Sequence, residues 1–526
     1  MSSFDVAQQP WVDVTMLDGR PGSFGIRELL ASAHKVADIG VSQPIAEAPV
    51  RRLLETIAAR VTGLDEALPV VEWKARRSAV LSTGQFDVDD LDEYLSDWCW
   101  DLFDPVRPWM QDPRLAEQAE RVGVSKLDPQ RPGGNTPVWF VHTSASHAPS
   151  IPSAQAVQLL LYHHAHGNGG TGGTRRVSGY ADHHMADAPL RGAITYYPLG
   201  QNLFESLIAG MPPPPPDSHH DKATIARADD VGRDGAVDAA PWETELPAER
   251  PTVLPTVTWP ADLLVGRSRH ALLLVPDDTG SNVVDCFLTW AYKLPSGTDR
   301  PLTARDPHAM MQARKSTTGV TWSLAPARGD RAVWRDLDAL LADGATTQRP
   351  SVLAHAPDEL LDTLRIRAVG IAQERGKAVD HARVRSTTPP VLAALPEHDP
   401  DAADGVAELT AAAAAVEQQV TGELVAAWKR LLGDRPNSPN PWTEVFTARY
   451  WGAAEAEFWR RFEQRQFDQP RRAFLAVAWP LLDEIADARR SSPATIGALQ
   501  TARTKIAAWI AKHEPSDTNT TTEGAA

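Results

Sequence analysis

Short apolar runs interrupted by turn residues mark the start of the chain. Residues 4–30 carry Asp18-Gly19 between two such runs, a pair typical of a two-residue turn, which predicts a β-hairpin followed by a helix. Hydrophobic residues then recur three and four positions apart over 48–61 and 91–103, the spacing of an amphipathic helix. The first part of the chain is therefore predicted to mix strands and helices.

The pattern stays mixed up to a proline-rich stretch at 389–400 and becomes almost wholly helical beyond it. Before the prolines, 270–276 and 282–294 are predicted as strands of a mixed sheet and 358–369 as a helix. Beyond them, amphipathic segments with short connections predict an up-down four-helix bundle, with a kink at Pro480. The segments lie near 401–433, 441–466, 470–490 and 492–513.

These elements predict an α+β protein with a large mixed N-terminal globular domain over 1–395. A C-terminal four-helix bundle follows over 396–513, and 514–526 is predicted to be a disordered tail because it has nothing to bury. Residues 212–251 begin with five prolines and carry nine acidic against four basic residues, which predicts a flexible surface connection within the first domain.

Charge and cysteine content exclude several classes of protein. The formal net charge of −16 argues against a surface that binds nucleic acid as a whole, so any such contact must be local or shared with basic subunits of a larger assembly. Cys99 and Cys286 are the only cysteines, too few for a disulfide framework or a four-cysteine zinc site. No signal peptide or membrane span is recognisable, so we expect a cytoplasmic protein without membrane contact.

The segment HGNGGTGGTRR, residues 166–176, fits two nucleotide-binding patterns, G-x-G-x-x-G and G-x-x-x-x-G-G-T. Both patterns need a strand before the loop and a helix after it. Here a helix is predicted before the loop, an irregular polar stretch follows, and Gly173 replaces the phosphate-binding lysine. Three interpretations stay open: a nucleotide loop, a plain flexible loop, or a bare backbone that lets a nucleic-acid groove approach closely.

Other candidate chemistry is weaker. Seven histidines fall between His142 and His184, but no spaced ligand motif or cysteine accompanies them, so no metal and no cofactor are expected. A nucleophile elbow of the form G-x-S-x-G is absent, so serine, histidine and aspartate residues cannot be grouped into a hydrolase site and no catalytic residue is assigned. Paired arginines are candidate phosphate contacts. They are Arg175, Arg176, Arg471 and Arg472.

Several short motifs in order resemble the CasA family, the large subunit of the type I-E CRISPR Cascade surveillance complex. At the N-terminus these are Phe4, the segment PWV at 10–12, Asp18-Gly19, IRELL at 26–30 and RLL at 52–54. The central segments IPSAQAVQLLLYHHAHGNGGTGG and APLRGAITYYPLGQNLFESLI follow the family's order of helix, glycine loop, L-R-G-A and N-L-F-E-S-L. The resemblance runs over nearly the whole chain.

The resemblance implies a non-catalytic DNA-recognition subunit, so the chain is not expected to be an enzyme. Such subunits hold the guide RNA by its 5′ handle, read the protospacer-adjacent motif in double-stranded target DNA, start duplex opening and help to recruit the helicase-nuclease. The other Cascade subunits, guide RNA, target DNA and helicase-nuclease are then the expected partners. Sequence specificity for the target comes from guide pairing, while the protein reads only the motif.

The resemblance also assigns roles to residues. The glycine loop matches a loop that reads the motif through the minor groove, and Lys293 matches a lysine that reaches minor-groove acceptors. The loop residues are Gly167, Asn168, Gly169, Gly170, Gly172 and Gly173. The duplex-opening wedge matches Gln373, Glu374 and Arg375, and departs from the family's Asn-Asn-Gln type, which leaves open which residue inserts. The guide-handle contact matches Phe140, Val141 and His142.

Two other functions remain as alternatives. One is a nucleotide-binding enzyme that uses the glycine-rich loop, and the other is a protein-interaction subunit without nucleic-acid contact. The first would need a phosphate site at a helix N-terminus, which the order of elements around the loop disfavours.

Overall fold

The structure is a computed structural model that describes most of the chain. The described residues are 2–41, 46–66, 68–131, 148–213, 238–244, 246, 260–266, 269–293, 306–316, 319–373, 380–432, 440–487 and 492–514. The chain divides into two compact units, Met1–Ala332 with Asp343–Ala393, and Val333–Ala342 with Ala394–Ala526. The boundary predicted from the prolines missed that residues 333–342 belong to the helical unit, where the fully buried Trp334 packs on Phe458.

The first unit contains both strands and helices. The strands are β1 Val12–Met16, β2 Pro21–Phe24, β3 Val36–Gly40, β4 Ile151–Pro152, β5 Gly170–Val177, β6 Tyr180–Met185, β7 Ile194–Leu199, β8 His270–Pro276, β9 Asn282–Trp290, β10 Met311–Ser316, β11 Gly319–Leu324, β12 Thr347–Gln348, β13 Arg365–Gln373 and β14 Asp380–Pro390. The helices are α1 Ile26–Ala31, α2 Glu47–Thr62, α3 Val70–Thr83, α4 Val88–Ser96, α5 Leu115–Gln118, α6 Ser153–His166, α7 Leu203–Gly210, α8 Ala261–Val265 and α10 Ser351–Ala354.

The strands form small antiparallel sheets rather than one large sheet. Their orders are β2-β1-β3, β14-β13-β7, β4-β9-β8 and β11-β10-β12, with β5 and β6 as a separate hairpin. The strands predicted at 270–276 and 282–294 are confirmed as β8 and β9, but they do not join a mixed sheet: β9 pairs antiparallel with β8 on one side and with β4 on the other. The α+β class predicted from the sequence is confirmed.

Helix α2 lies in the interior of the first unit and confirms the helix predicted at 48–61. It is buried almost all round, so it carries charged residues into the core as well as aliphatic ones. Arg52 forms two hydrogen bonds of 2.6 Å with Asp306 and donates a third to the Tyr197 hydroxyl. Burial alone would raise the pKa of the Asp306 carboxyl. The Arg52 guanidinium has the larger effect and holds that pKa below its usual range.

Several local predictions needed correction. Residues 358–369 are a short 3-10 turn followed by strand β13, because the segment pairs with both β7 and β14. The helix predicted at 91–103 is α4, Val88–Ser96, and ends earlier. The first hairpin has a three-residue turn, 17–19, closed by a bond from Met16 N to Arg20 O, and Gly19 adopts a φ of 84°.

Part of the acidic connection over 212–251, which was predicted to be flexible, is held against the first unit by side-chain contacts. Trp242 is buried and donates a hydrogen bond to the Tyr94 hydroxyl, and Glu243 and Asp238 accept hydrogen bonds from Arg60. These contacts pin residues 238–244 to α2 and α4. Much of the remaining connection, 214–237 and 247–251, lies outside the described residues.

The second unit consists mainly of four long helices and confirms the predicted C-terminal run. The long helices are α11 Pro400–Leu432, α12 Pro441–Glu463, α13 Pro470–Asp487 and α14 Pro493–His513, and the short helix α9 Leu337–Leu341 joins them. Helix α11 packs against each of the other three long helices and buries the predicted stripe that includes Leu409, Val416, Val420 and Leu424. Pro480 lies inside α13. The predicted tail beyond residue 514 lies outside the described residues.

Candidate nucleic-acid interface

The glycine-rich segment connects helix α6 to the β5-β6 hairpin. Helix α6 ends at His166, residues 167–169 form a short loop, and β5 begins at Gly170. The sequence prediction of irregular chain after the loop was wrong, because residues 170–185 pair as two antiparallel strands. A helix before the loop and a strand after it reverse the order of a phosphate-binding loop, which argues against the nucleotide interpretation.

The glycines of this segment fall into two groups according to what surrounds them. A Cβ on Gly167 would collide with His270 and one on Gly173 with the carbonyl oxygen of Glu120, while Gly172 would place it 2.5 Å from Leu288 O. These three positions need glycine because of the protein behind them. Gly169 is tight against Asp187, and Gly170 has open space around it and a φ of 126°. Gly170 is therefore the exposed glycine with open space beside its bare backbone, and the partly exposed Gly169 precedes it.

Asp187 holds the loop in place. The backbone N–H of Gly169 donates to its carboxylate at 2.7 Å, and the N–H of the following Ala188 donates to Gly167 O at 2.9 Å. The structure gives Asp187 a positioning role within the glycine loop.

Lys293, assigned by resemblance to the minor-groove contact, lies against the same hairpin. Its ammonium is 2.7 Å from Asp182 and donates to the carbonyl oxygen of His184, the residue opposite Thr171 in the register of the hairpin. It also lies 5.4 Å from the Trp290 ring centre. The Lys293 ammonium, together with hydrogen bonds from His184 and His183, holds the pKa of Asp182 well below its usual range.

The two arginines that follow the glycines differ in availability. Arg175 was predicted as a phosphate contact, but its side chain is 4% exposed and lies 3.1 Å from Asp112. It also donates to Gln118 and to the carbonyl oxygen of Trp290. That prediction is wrong for this structure, since the guanidinium is enclosed by acceptors. Arg176 is 62% exposed and pairs with the exposed Glu120 at 3.0 Å.

Lys126 is a basic neighbour of the hairpin that sequence reasoning missed. It ends the 3-10 turn Val124–Lys126, and its ammonium donates to Thr171 O at 3.3 Å. Together with Arg176 and Lys293 it places three cationic groups on or beside β5 and β6. The lysine sits 45 residues before Thr171, so no local motif in the sequence could have linked the two.

The histidines of α6 are structural. His163, His164 and His166 are buried, and their rings contact the carbonyl oxygens of Leu127, Met110 and Leu190. Burial lowers the pKa of both His163 and His166 to about 3, so they are neutral.

One group in the described residues offers potential metal ligands, Asp182, His183 and His184, whose ligand atoms lie within 4.8 Å of one another. Lys293 is paired with the Asp182 carboxylate of that group. A cation would have to compete with this ammonium, so the arrangement suits an internal ion pair better than a metal.

The remaining assigned residues lie elsewhere. Gln373 is the last residue of β13, opposite Asp380 of β14, and Glu374 and Arg375 lie outside the described residues. The guide-handle residues Phe140, Val141 and His142 also lie outside them. Arg471 and Arg472 stand in the first turn of α13, where their backbone N–H groups donate to the Glu514 carboxylate.

Comparison with known proteins gives one consistent picture. A family model described as CRISPR-associated protein Cse1 matches residues 5–487. The chain is 29% identical over 503 residues to CRISPR-associated protein CasA/Cse1 of Thermus thermophilus, covering 91% of each sequence.

Solved structures agree in fold. A chain of a CRISPR RNA-guided surveillance complex superposes with a TM-score of 0.82 at 33% identity, covering 96% of this chain and 100% of that one. The crystal structure of Thermus thermophilus CasA (Cse1) gives a TM-score of 0.72 at 21% identity over 97% of this chain and 100% of that one. Among the described helices, none is both long and apolar enough to cross a bilayer.

Proposed function

The chain belongs to the CRISPR-associated protein Cse1 family, and from that premise we propose that it is the large subunit of an RNA-guided Cascade surveillance complex. In this role it recognises the protospacer-adjacent motif in double-stranded target DNA, starts duplex opening for guide pairing and helps to recruit the helicase-nuclease. The proposed role is one of recognition and needs no catalytic residue or cofactor.

The position of Lys293 on the glycine hairpin is the observation that carries the proposal. The minor groove of B-DNA is about 6 Å wide, so a chain edge without side chains enters it more easily than one with them. Gly169 and Gly170 supply such an edge, and Lys293 supplies a donor next to it. A backbone edge and one lysine read the acceptors that A·T and T·A pairs share, which favours tolerant motif recognition.

Asp182 competes with DNA for the Lys293 ammonium. Lys293 must exchange Asp182 for an acceptor on DNA, because the two now form an ion pair of 2.7 Å. Arg176, which pairs only with exposed Glu120, is proposed to contact a flanking phosphate. Arg471 and Arg472 of the helical unit are proposed as further phosphate contacts, in competition with Glu514.

The hairpin of β13 and β14 is the proposed duplex-opening wedge, with Gln373 at the end of β13 and Glu374 and Arg375 following it. Its strands are anchored in the protein: Arg367 of β13 and Arg385 of β14 both bind Glu47 of α2 and Asp38 of β3. A firmly held base is what a wedge needs to push base pairs apart. Phe140, Val141 and His142 are proposed to contact the guide handle.

The test is a mobility-shift titration of motif-bearing and motif-free duplexes with the guide-RNA complex assembled with and without this chain. We expect the preference for the motif to require the chain, with a discrimination of about 10- to 100-fold from one or two good base-edge contacts. Equal motif preference without the chain would refute the proposed recognition role.

A further inference from the structure

The hairpin of β10 and β11 exposes an aromatic and aliphatic face that the proposed function does not use. Trp322 is 40% exposed and Val320 is 58% exposed. Among the described residues, Trp322 is the only exposed tryptophan. Its ring makes no aromatic or cation-π contact with any other described residue. Aromatic side chains are enriched where proteins contact partners, so the exposed part of this ring is a candidate contact surface.

The strand register brings a cation onto that face. Lys315 lies directly opposite Val320, and Ala313 lies opposite Trp322. Cross-strand partners project to the same side of a sheet, so the four residues share one surface. The small side chain of Ala313 leaves the Trp322 ring uncovered from the neighbouring strand, and the exposed Lys315 lies diagonal to it.

The charge of the hairpin indicates which kind of ligand this face would bind. Residues 311–324 contain Arg314 and Lys315 and no acidic residue, within a chain of net charge −16. Both cations are exposed, but only Lys315 shares the face of Trp322, since Arg314 lies opposite Thr321 on the other side of the hairpin. An aromatic ring beside a cation is a combination that stacks bases and follows phosphates in proteins that bind single strands. The β11 strand is also an edge of its sheet, since among the described strands it pairs only with β10.

The β10-β11 hairpin lies close to the strand that leads into the proposed wedge. Its base is tied to the start of β7 by the bridges between Thr195 and Ala309 and between Ala193 and Pro326. The neighbouring Ile194 pairs with Gly370 of β13, near the end at which β13 reaches Gln373. The β10-β11 hairpin is therefore attached to the β14-β13-β7 sheet near the end of β13 at which the proposed wedge begins.

We propose that Trp322, Val320 and Lys315 form a stacking platform for single-stranded nucleic acid, which receives a DNA strand released at the wedge. The platform rests on the proposed function for its substrate, because the wedge supplies the separated strand. Bases stack on Trp322 and the backbone phosphates pair with Lys315.

The first test measures binding of a fluorescein-labelled pyrimidine oligonucleotide of about 20 residues to the full chain by anisotropy. Trp322→Ala is expected to weaken binding about tenfold, while Trp322→Phe keeps most of the affinity because stacking is preserved. Lys315→Met lowers the salt dependence by about 0.7 in log–log slope. Leu17→Ala, which removes an apolar group that is 55% exposed on another hairpin, is the matched control and leaves affinity unchanged.

The second test crosslinks DNA that carries 5-iodouracil in the displaced strand to the assembled complex. Trypsin releases peptide 316–328, whose only aromatic residue is Trp322. Two targets are compared, a fully paired duplex and one with a preformed mismatch bubble beside the motif. The proposal expects the crosslinked peptide with the bubble, and its loss in Trp322→Ala.

The two targets distinguish failure of the platform from failure of the proposed function. A crosslink with both targets supports the platform and duplex opening. A crosslink with the bubble target alone supports the platform and counts against duplex opening by this complex. The absence of the peptide from both targets overturns the platform. So does a Trp322→Ala chain that fails to join the other subunits but keeps its oligonucleotide affinity, since the face then binds protein.

Discussion

Gly170 and Gly173 stand three positions apart in β5 and need glycine for different reasons. At Gly173 a side chain has no room because the carbonyl oxygen of Glu120 lies behind it, whereas at Gly170 there is room but the positive φ strains any other residue. Replacing either glycine thus changes the protein before it changes a ligand contact. Substitutions at Lys293, whose side chain lies on the hairpin surface, report on binding more directly.

Gly173→Ala is predicted to destabilise the first unit by at least about 2 kcal/mol, since the new methyl group forces two backbone segments apart. The matched substitution is Gly452→Ala in the interior of α12, where nothing lies within 4 Å of the new Cβ. There we expect a gain of about 0.5–1 kcal/mol from helix propensity. Urea unfolding followed by circular dichroism measures both, and a neutral Gly173→Ala would contradict the packing described above.

Buried neutral histidines predict sensitivity to acid. The pKa of His166 is about 3 in the folded chain and near 6.5 when unfolded, so the unfolded state binds more protons between these values. Stability therefore falls as pH drops below about 6.5, by up to about 1.4 kcal/mol per pH unit for each such histidine. The variant His166→Gln should lose less stability between pH 6 and pH 4.5 than the unchanged chain.

His184→Gln is the control for this experiment, since His184 lies at the surface, with a side chain that is 66% exposed. The free energy of unfolding is compared at each pH by urea titration. Equal pH slopes for His166→Gln and the unchanged chain would show that His166 is not the proton-linked group.

At this scale the roles given to the glycine loop and Lys293 stay predictions, while the sequence misjudged the residues around them. Lys293 was assigned by resemblance, and the structure places it beside the hairpin. Arg175 could not be recognised as buried, because Asp112 and Gln118 that enclose it lie 63 and 57 positions away. Asp187 and Lys126 were missed for the same reason, since their contacts depend on how distant segments meet.

At the scale of elements, a cluster of charges joins the β13-β14 hairpin to the interior. Glu47 of α2 is fully buried and accepts from Arg51 at 3.0 Å, from Arg367 at 2.5 Å and from Arg385 at 2.6 Å. Asp38 contacts the same three arginines. Burial raises the pKa of Glu47, but the arginines outweigh it and hold the pKa below the usual range.

Glu47→Gln is predicted to destabilise the first unit by about 3 kcal/mol, because three guanidinium groups then share one carboxylate in a buried site. Glu93→Gln on the exposed face of α4 removes the same charge from the surface and is expected to change stability by less than about 0.5 kcal/mol. Thermal unfolding of the two variants tests the anchor. Equal melting temperatures would mean that the cluster does not hold the hairpin.

The long amphipathic helices were predictable, whereas the central strand β13 was not. Helices α11 to α14 follow a local spacing of apolar residues that needs no knowledge of the fold. Residues 358–369 also show such a spacing, yet the second half becomes a strand because β7 and β14 supply hydrogen-bond partners on both sides. Ladder partners about 170 positions away along the chain are invisible to a local pattern.

At the scale of the whole molecule, the charge distribution suits a subunit rather than a free DNA-binding protein. The net charge of −16 repels phosphate, while Lys126, Arg176 and Lys293 collect at one hairpin of the first unit. A small cationic site in an acidic protein gives local recognition with little non-specific affinity. The remaining attraction for DNA is then expected to come from the guide RNA and the other subunits of the complex.

The most direct test of motif reading by the glycine hairpin is the ratio of affinities for motif-bearing and motif-free duplexes, measured with assembled complex that carries Lys293→Met, Asp182→Asn or Lys505→Met. Lys505, on α14, provides a matched loss of one exposed charge. We predict that Lys293→Met lowers the ratio about tenfold, that Asp182→Asn, which releases the lysine, keeps or raises it, and that Lys505→Met leaves it unchanged. An unchanged ratio in Lys293→Met would contradict the account.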